Sequence, residues 1–270
     1  VIWLPTKEIP NAKEAVDCFQ RAAKTVCFVT NNSLQSPLPR FKKLGYNVSA
    51  RDVVYPPIAV ALHLKRIGFS KKAYVIGMEH FKDQLREEGI TVVPPRKDKR
   101  SLLPEEISGA LRVVQSDPEI GAVIVDVDFN LCYEDLLLAA NHLRDPECLF
   151  FVGASDSRLC LNGVNLLGPG YFVSMLEDST GRKAELIGKP GRLMVDGYIR
   201  QFHNIDVGRT VFVGDTLVQD MGLAHVCGMK KLLVLSGMSK LEDIDSCSPA
   251  LIPDYYINSF GDFSNLLGAV

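Results

Sequence analysis

Short runs of β-branched and aromatic apolar residues alternate with amphipathic stretches of helical period along almost the whole chain. This alternation restricts the fold more than any other feature. Thr25–Val29, Ala73–Ile76, Ala122–Val125, Leu149–Val152, Thr210–Val213, Leu232–Leu235 and Tyr255–Ile257 read as strands. Ala12–Ala23, Ile58–Arg66, Glu79–Glu88, Pro104–Val114, Tyr133–Leu143, Gly191–Phe202 and Val218–Cys227 read as helices, the first with apolar residues at 12, 15, 16, 19 and 23. Near-continuous apolar strands separated by helices predict a doubly wound parallel α/β sheet covered on both faces. Pro94–Arg100, polar and proline-containing, reads as a surface loop.

Composition narrows the function classes. The 270 residues suit one large domain or two smaller ones, at ~150 residues per domain. Hydrophobic residues at 47% and charged residues at 23% describe an ordinary globular chain. Thirty Lys+Arg against 32 Asp+Glu give a net charge of −2, which offers no basic face to nucleic acid and no polybasic membrane patch. No apolar stretch approaches the ~18 residues of a membrane span. Seven scattered cysteines, none in a C-x-x-C pair, read as reduced structural thiols of a cytoplasmic protein. The chain starts Val1-Ile2-Trp3, without an initiator Met or the charged region of a signal peptide, as a processed or truncated chain would.

Ligands of doubly wound sheets sit at the carboxyl ends of strands. After Thr25–Val29 come Thr30, Asn31, Asn32 and Ser33. By themselves they suit a plain turn, since such side chains bond nearby backbone. They also suit an oxyanion site built from the Thr30 hydroxyl and the following amides. Gly188-Lys189-Pro190 follows Glu185-Leu186-Ile187, and Lys189 reads either as a solvated turn lysine or as a compact cation for phosphate. Gly214-Asp215 closes the run Val211-Phe212-Val213, with Asp220 opening the next helical segment. Helix capping accounts for such aspartates. Two carboxylates at a strand end also suit Mg²⁺, which takes few carboxylates and keeps several waters. A hydroxyl, a lysine and an acidic pair at three strand ends together describe machinery for phosphoryl transfer.

Several segments then carry a resemblance: Val1-Ile2-Trp3, Phe28-Val29-Thr30-Asn31-Asn32-Ser33, Val75-Ile76-Gly77, Leu143 to Leu149, Gly188-Lys189-Pro190, Val213-Gly214-Asp215 and Cys227-Gly228-Met229. The chain resembles the haloacid dehalogenase superfamily over essentially its whole length. Within it, the match is to the branch of para-nitrophenyl, phosphoglycolate and pyridoxal phosphate phosphatases. The resemblance implies a Rossmann-like parallel-sheet core with an inserted α/β cap domain. Residues 1–71 and 183–270 would form the core, and residues 72–182 the cap. It further implies that Thr30 binds the transferring phosphoryl group, with Asn31 and Asn32 beside it. Lys189 would stabilise that group, Asp215 would ligate Mg²⁺, and Gly214 and Asp220 would support the site. The implied reaction is Mg²⁺-dependent hydrolysis of small phosphate monoesters through an aspartyl-phosphate. A homodimer through the cap is common in such relatives.

One motif of the resemblance is not in this chain. Relatives carry Asp-x-Asp-Gly-Val ahead of a hydrophobic residue and Trp, so their nucleophile and general acid/base would fall just upstream of Val1. No internal aspartate substitutes for them. The chain as written is therefore expected to be inactive, as a truncated piece of an active phosphatase. The competing expectation is a phospho-ligand binder that has lost this motif. Asp126 and Asp128 form a pair after Ala122–Val125, expected in the cap with a structural or solvated role. Asp156 alone keeps a family loop that often carries Asp, proline and histidine. Tyr171-Phe172 follow Gly168-Pro169-Gly170 where relatives have small residues. Pro37 and Pro39 should delay the helix after the second motif.

Overall fold

A computed structural model of the chain describes residues 1–4, 7–94, 105, 117–161, 164–197 and 205–267. It separates into two compact units. The first comprises Val1–Thr30, Ser36–Tyr55 and Gly188–Val270; the second comprises Asn31–Gln35 and Pro56–Ile187. The second is wider than the expected 72–182 segment, and local packing gives the reason. Helix Pro56–Arg66 packs on helix Glu79–Glu87, and the His63 ring meets Phe151 edge-on at 5.5 Å. Strand β8 (Glu185–Leu186) pairs with β5 (Leu149–Val152).

The first unit contains two parallel sheets. Strands β1 (Phe28–Val29) and β2 (Val53–Val54) pair as Phe28↔Val53 and Val29↔Val54. Strands β9 (Val211–Gly214), β10 (Lys230–Val234) and β11 (Tyr255–Ile257) lie in the order β11-β10-β9. β1 is shorter than the expected Thr25–Val29 because its partner offers only two residues. Aromatic side chains fill this unit beside β1: Phe41 stands 4.5 Å from Phe28 and 4.7 Å from Trp3, and Tyr46 meets all three edge-on. Arg40 lies over the Trp3 ring and donates to the Leu4 carbonyl at 2.7 Å, joining a cation–π contact to a charged hydrogen bond. Helix Ala12–Arg21 buries Ala12, Ala15 and Val16, and its Phe19 stacks with Phe260 and meets Phe263 edge-on. It stops short of the expected Ala23, which adopts a left-handed φ of 54°. Helix Leu38–Lys43 begins after Pro37 and carries Pro39 in its first turn, where a missing amide costs nothing.

The second unit is a four-stranded parallel sheet in the order β3-β4-β5-β8, with β3 spanning Lys72–Ile76 and β4 Ile120–Val125. All six β4 residues are buried. One face, Tyr74, Ile76, Val123, Val125, Phe150 and Val152, packs against Ala139 and Leu143 around helix Tyr133–His142, and against Val173 and Leu176 of helix Gly170–Thr180. Phe151 and His63 lie on the other face. This two-sided burial explains why β4 reads as a continuous apolar run. Helix Gly170–Thr180 was not expected: Gly168-Pro169-Gly170 reads as a turn, yet Pro169, at φ −64°, starts a helix there. An antiparallel hairpin, β6 (Arg158–Leu161) with β7 (Val164–Leu167), precedes it. Pro104–Val114 lies outside the described residues except Glu105, as does Pro94–Arg100 after its first residue. Of the expected Gly191–Phe202 helix, Leu193–Asp196 is helical, and 198–202 lies outside them.

Among the described residues no helix is long and apolar enough to cross a membrane, and Cys18, Cys27, Cys132, Cys148, Cys227 and Cys247 form no disulfide. Burial raises the Cys27 and Cys148 thiols to about 11, so they stay protonated and unreactive at neutral pH. The parallel-sheet core assigns Leu176 a fully packed position and leaves Tyr133 exposed. Leu176→Ala should cost about 2–5 kcal/mol in urea unfolding. Tyr133→Ala should stay within about 0.5 kcal/mol, and equal losses would contradict this core.

Candidate active site

The carboxyl end of β9 gathers four of the expected residues. The chain leaves the strand at Gly214 and Asp215, then winds into a π-helical turn, Leu217–Met221, ahead of helix Gly222–Cys227. Thr216 opens that turn: its hydroxyl accepts from the Asp220 amide at 3.2 Å and donates to Asp220 Oδ2 at 2.9 Å. The turn thereby folds the Asp220 carboxylate back onto the strand end, where Oδ2 also accepts from the amides of Asp215 (2.9 Å) and Thr216 (3.0 Å). Asp220 is therefore more than a helix cap. A Cβ at position 214 would stand 2.1 Å from Asp220 Cβ, so only glycine fits there.

Lys189 reaches this carboxylate from the Gly188-Lys189-Pro190 turn, with Nζ donating to Asp220 Oδ1 at 2.7 Å. The side chains are 12% and 3% exposed, so the pair is largely out of water. Burial pushes the Asp220 carboxyl up more than any other single influence. The Lys189 charge, with hydrogen bonds from Lys189, Asp215 and Thr216, nevertheless holds it below the usual carboxylate range.

Asp215 is partly exposed, and its Oδ2 accepts from the Met238 amide at 3.2 Å. The loop after β10 wraps it: a Cβ on Gly237 would stand 2.0 Å from Asp215 Oδ2, and Ser239 donates its amide to the Asp215 carbonyl. The Val1 amino nitrogen lies 3.7 Å from Asp215 Oδ1. Thr30 stands at the carboxyl end of β1 in the same unit, its amide donating to the Val54 carbonyl. Asn31 and Asn32 belong to the segment that packs with the second unit, where Asn32 Oδ1 accepts from the Leu34 amide. Sequence reasoning missed Thr216 and Gly237; a hydroxyl four residues ahead of Asp220 and a glycine just past β10 are the signals it passed over.

Known proteins place the chain. The profile of the haloacid dehalogenase-like hydrolases matches residues 1–91, and a HAD-hydrolase-like profile matches residues 186–263. The 4-nitrophenylphosphatase of Schizosaccharomyces pombe is 30% identical over 268 residues, covering 96% of this chain and 88% of that protein. The glycerol-3-phosphate phosphatase of Rattus norvegicus is 31% identical over 281 residues, covering 97% and 86%. The chain belongs to the haloacid dehalogenase-like hydrolases. Its relatives within that family are phosphomonoester hydrolases, and it is a phosphatase of that family. The p-nitrophenyl phosphatase from Archaeoglobus fulgidus shares its fold at a TM-score of 0.80 and 21% identity, covering 100% of this chain and 95% of that one. The glycerol phosphate phosphatase from Mycobacterium tuberculosis in complex with magnesium does so at 0.77 and 21%, covering 99% and 75%. The parallel-sheet core with an inserted α/β cap is thus the architecture of this haloacid dehalogenase-like chain.

Asp126, expected to be structural or solvated, is buried in the second unit at 2% exposure. Its Oδ1 accepts from the Ser33 hydroxyl and the Val127 amide, both at 2.6 Å. Asp128 has its carboxylate 3.9 Å from Lys82. Burial is the largest influence on Asp126 and raises it to about 6, with Asp156 adding and the Ser33 and Val127 donors opposing.

Two outcomes follow from these environments. Asp220→Ala leaves the Lys189 ammonium in a buried site without this carboxylate, and should cost about 3–5 kcal/mol in urea unfolding. A loss under about 1 kcal/mol would show the pair to be solvated. Asp126 keeps its proton in the folded chain up to about pH 6, whereas an unfolded aspartate loses it near pH 4. Its stabilising contribution is therefore full below about pH 4 and lost as pH rises through about 6. Asp126→Asn removes that titration, so its stability relative to wild type should climb between these pH values, by on the order of 2–3 kcal/mol. A pH-independent difference would contradict the buried acid.

Proposed function

We propose that this phosphatase hydrolyses small phosphate monoesters with the help of Mg²⁺. The phosphoryl group would pass to an aspartate that the family pattern places ahead of Val1, and from there to water. The observation that carries this reading is the Lys189–Asp220–Asp215 arrangement at the end of β9. Phosphoryl transfer makes little covalent demand on a protein; it needs positioned charge around the equatorial oxygens. Lys189, fixed by a buried carboxylate, supplies a compact cation with little freedom to lose on binding. Thr30, at the end of β1, is the reading's hydroxyl donor to the same group.

The donor set fits Mg²⁺. Among the described residues no three His, Cys, Asp or Glu cluster around a common point, so there is no closed metal cage. Asp215 offers a partly exposed carboxylate, held by the Met238 amide and the Gly237 turn. A hard cation that takes one or two carboxylates and completes its shell with water and substrate oxygen suits such a site. Asp215 would hold the ion, which supplies charge compensation for the phosphoryl oxygens. Asp220 is committed to Lys189, Thr216 and two amides and would orient Lys189 instead of binding metal.

The full-length gene product should hydrolyse para-nitrophenyl phosphate and small phosphate esters when Mg²⁺ is present. Asp215→Asn should abolish the Mg²⁺-dependent turnover, and Lys189→Ala should lower kcat/KM by about 10²–10³-fold. Binding of phosphate esters without turnover, or full activity in Asp215→Asn, would refute the reading. The coding sequence ahead of Val1 should read Asp-x-Asp-Gly.

A further inference from the structure

The second unit holds a buried carboxyl group for which the proposed reaction has no use. Asp126 follows β4 directly, and Gly77 and Gly153 stand at the matching positions after β3 and β5. The backbone continues the sheet here, with the Asp126 amide donating to the Ile76 carbonyl and the Gly153 amide to the Val125 carbonyl. A Cβ at position 153 would lie 1.9 Å from Asp126 Oδ2, so a glycine is what gives the carboxyl its room. Oδ2 is buried and accepts no hydrogen bond from the described residues, while Oδ1 takes the Ser33 hydroxyl at 2.6 Å. Burying a carboxyl with one oxygen unsatisfied costs free energy, so the arrangement is not explained by stability.

Its partner explains it. Ser33 is itself 4% exposed and lies three residues after Thr30. It belongs to Asn31–Gln35, the short stretch that packs with the second unit while the chain on either side packs with the first. The Ser33–Asp126 bond is short, buried and joins positions 93 residues apart.

We propose that Asp126 is a positioning residue for the turn after Thr30: by holding Ser33, it fixes the Asn31-Asn32-Ser33 backbone in the conformation that receives the phosphoryl oxygens. This rests on the reading of Thr30 and its following amides as the oxyanion site. Removing Asp126 takes the acceptor from the buried Ser33 hydroxyl, and removing Ser33 leaves Asp126 Oδ1 with the Val127 amide alone, so either change loosens the turn.

Hydrogen exchange and kinetics on the full-length protein test the idea. Asp126→Ala and Ser33→Ala should each speed exchange at the amides of residues 31–35 and lower kcat/KM for para-nitrophenyl phosphate by about tenfold or more. The double variant should lose no more than either single one. Asp126→Asn keeps an acceptor for Ser33 and should rescue both measures to within about threefold. Gly153→Ala leaves both partners in place but crowds Oδ2, and should reproduce the exchange pattern of Asp126→Ala. Unchanged exchange at 31–35 in Asp126→Ala, or additive kinetic losses in the double variant, would overturn the proposal. A wild-type protein with no phosphate-ester turnover would instead defeat the functional reading. In that case, inorganic phosphate decides: it should slow exchange at 31–35 in wild type but not in Asp126→Ala, and equal protection in both would overturn the positioning role.

Discussion

The buried contact between Lys189 and Asp220, 2.7 Å long, is the constraint around which the end of β9 is built. Taking two charges out of water costs several kcal/mol for each ion, and the attraction between them repays it only when the remaining lone pairs are also satisfied. Asp220 meets that condition with two amides and a hydroxyl on its second oxygen. Much of the local architecture serves the same end. Gly214 clears space for the carboxylate, Thr216 starts the π-helical turn, and that turn carries Asp220 back to the strand it just left. A hydrophobic pair would hold this corner together as well or better. What the ion pair adds is a lysine whose ammonium has one place to be.

That fixed ammonium connects the fold to the chemistry. The parallel strands β9 and β10 end on the same side, so the loops after them converge on one point. Asp215 comes from the first loop, and the Gly237 turn that shapes its surroundings comes from the second. The arrangement gives the two carboxylates different environments although they are five residues apart. One is buried and committed to a lysine; the other is partly exposed and held by a single amide, which leaves it suited to a hydrated cation.

Much of this was legible in the sequence because it depends on local pattern. Apolar runs ending in Thr30, Gly188-Lys189 and Gly214-Asp215 mark strand ends without any knowledge of distant partners, and the family resemblance implies roles for them. What stayed hidden was decided by tertiary contact. β2 is two residues long and has no period to detect. The helix that begins at Gly170 opens with a Gly-Pro-Gly sequence that signals a turn, and it forms because Val173 and Leu176 have a sheet face to bury against. Asp126 and Asp128 read on paper as a carboxylate pair with a structural or solvated role, and local pattern does not decide between the two. Asp126 is interior because its hydrogen-bond donor, Ser33, arrives from a segment far away in the chain. The compact unit that holds this sheet begins at Pro56 because helix Pro56–Arg66 packs on helix Glu79–Glu87, a tertiary contact that composition does not announce.

A crystal structure of the full-length protein with Mg²⁺ and orthovanadate tests the central claim most directly. The account predicts the metal on Asp215 and the oxyanion within hydrogen-bond distance of Lys189 Nζ, with the Lys189–Asp220 contact intact. An oxyanion bound away from Lys189, or a metal coordinated by Asp220 in place of Asp215, would contradict it.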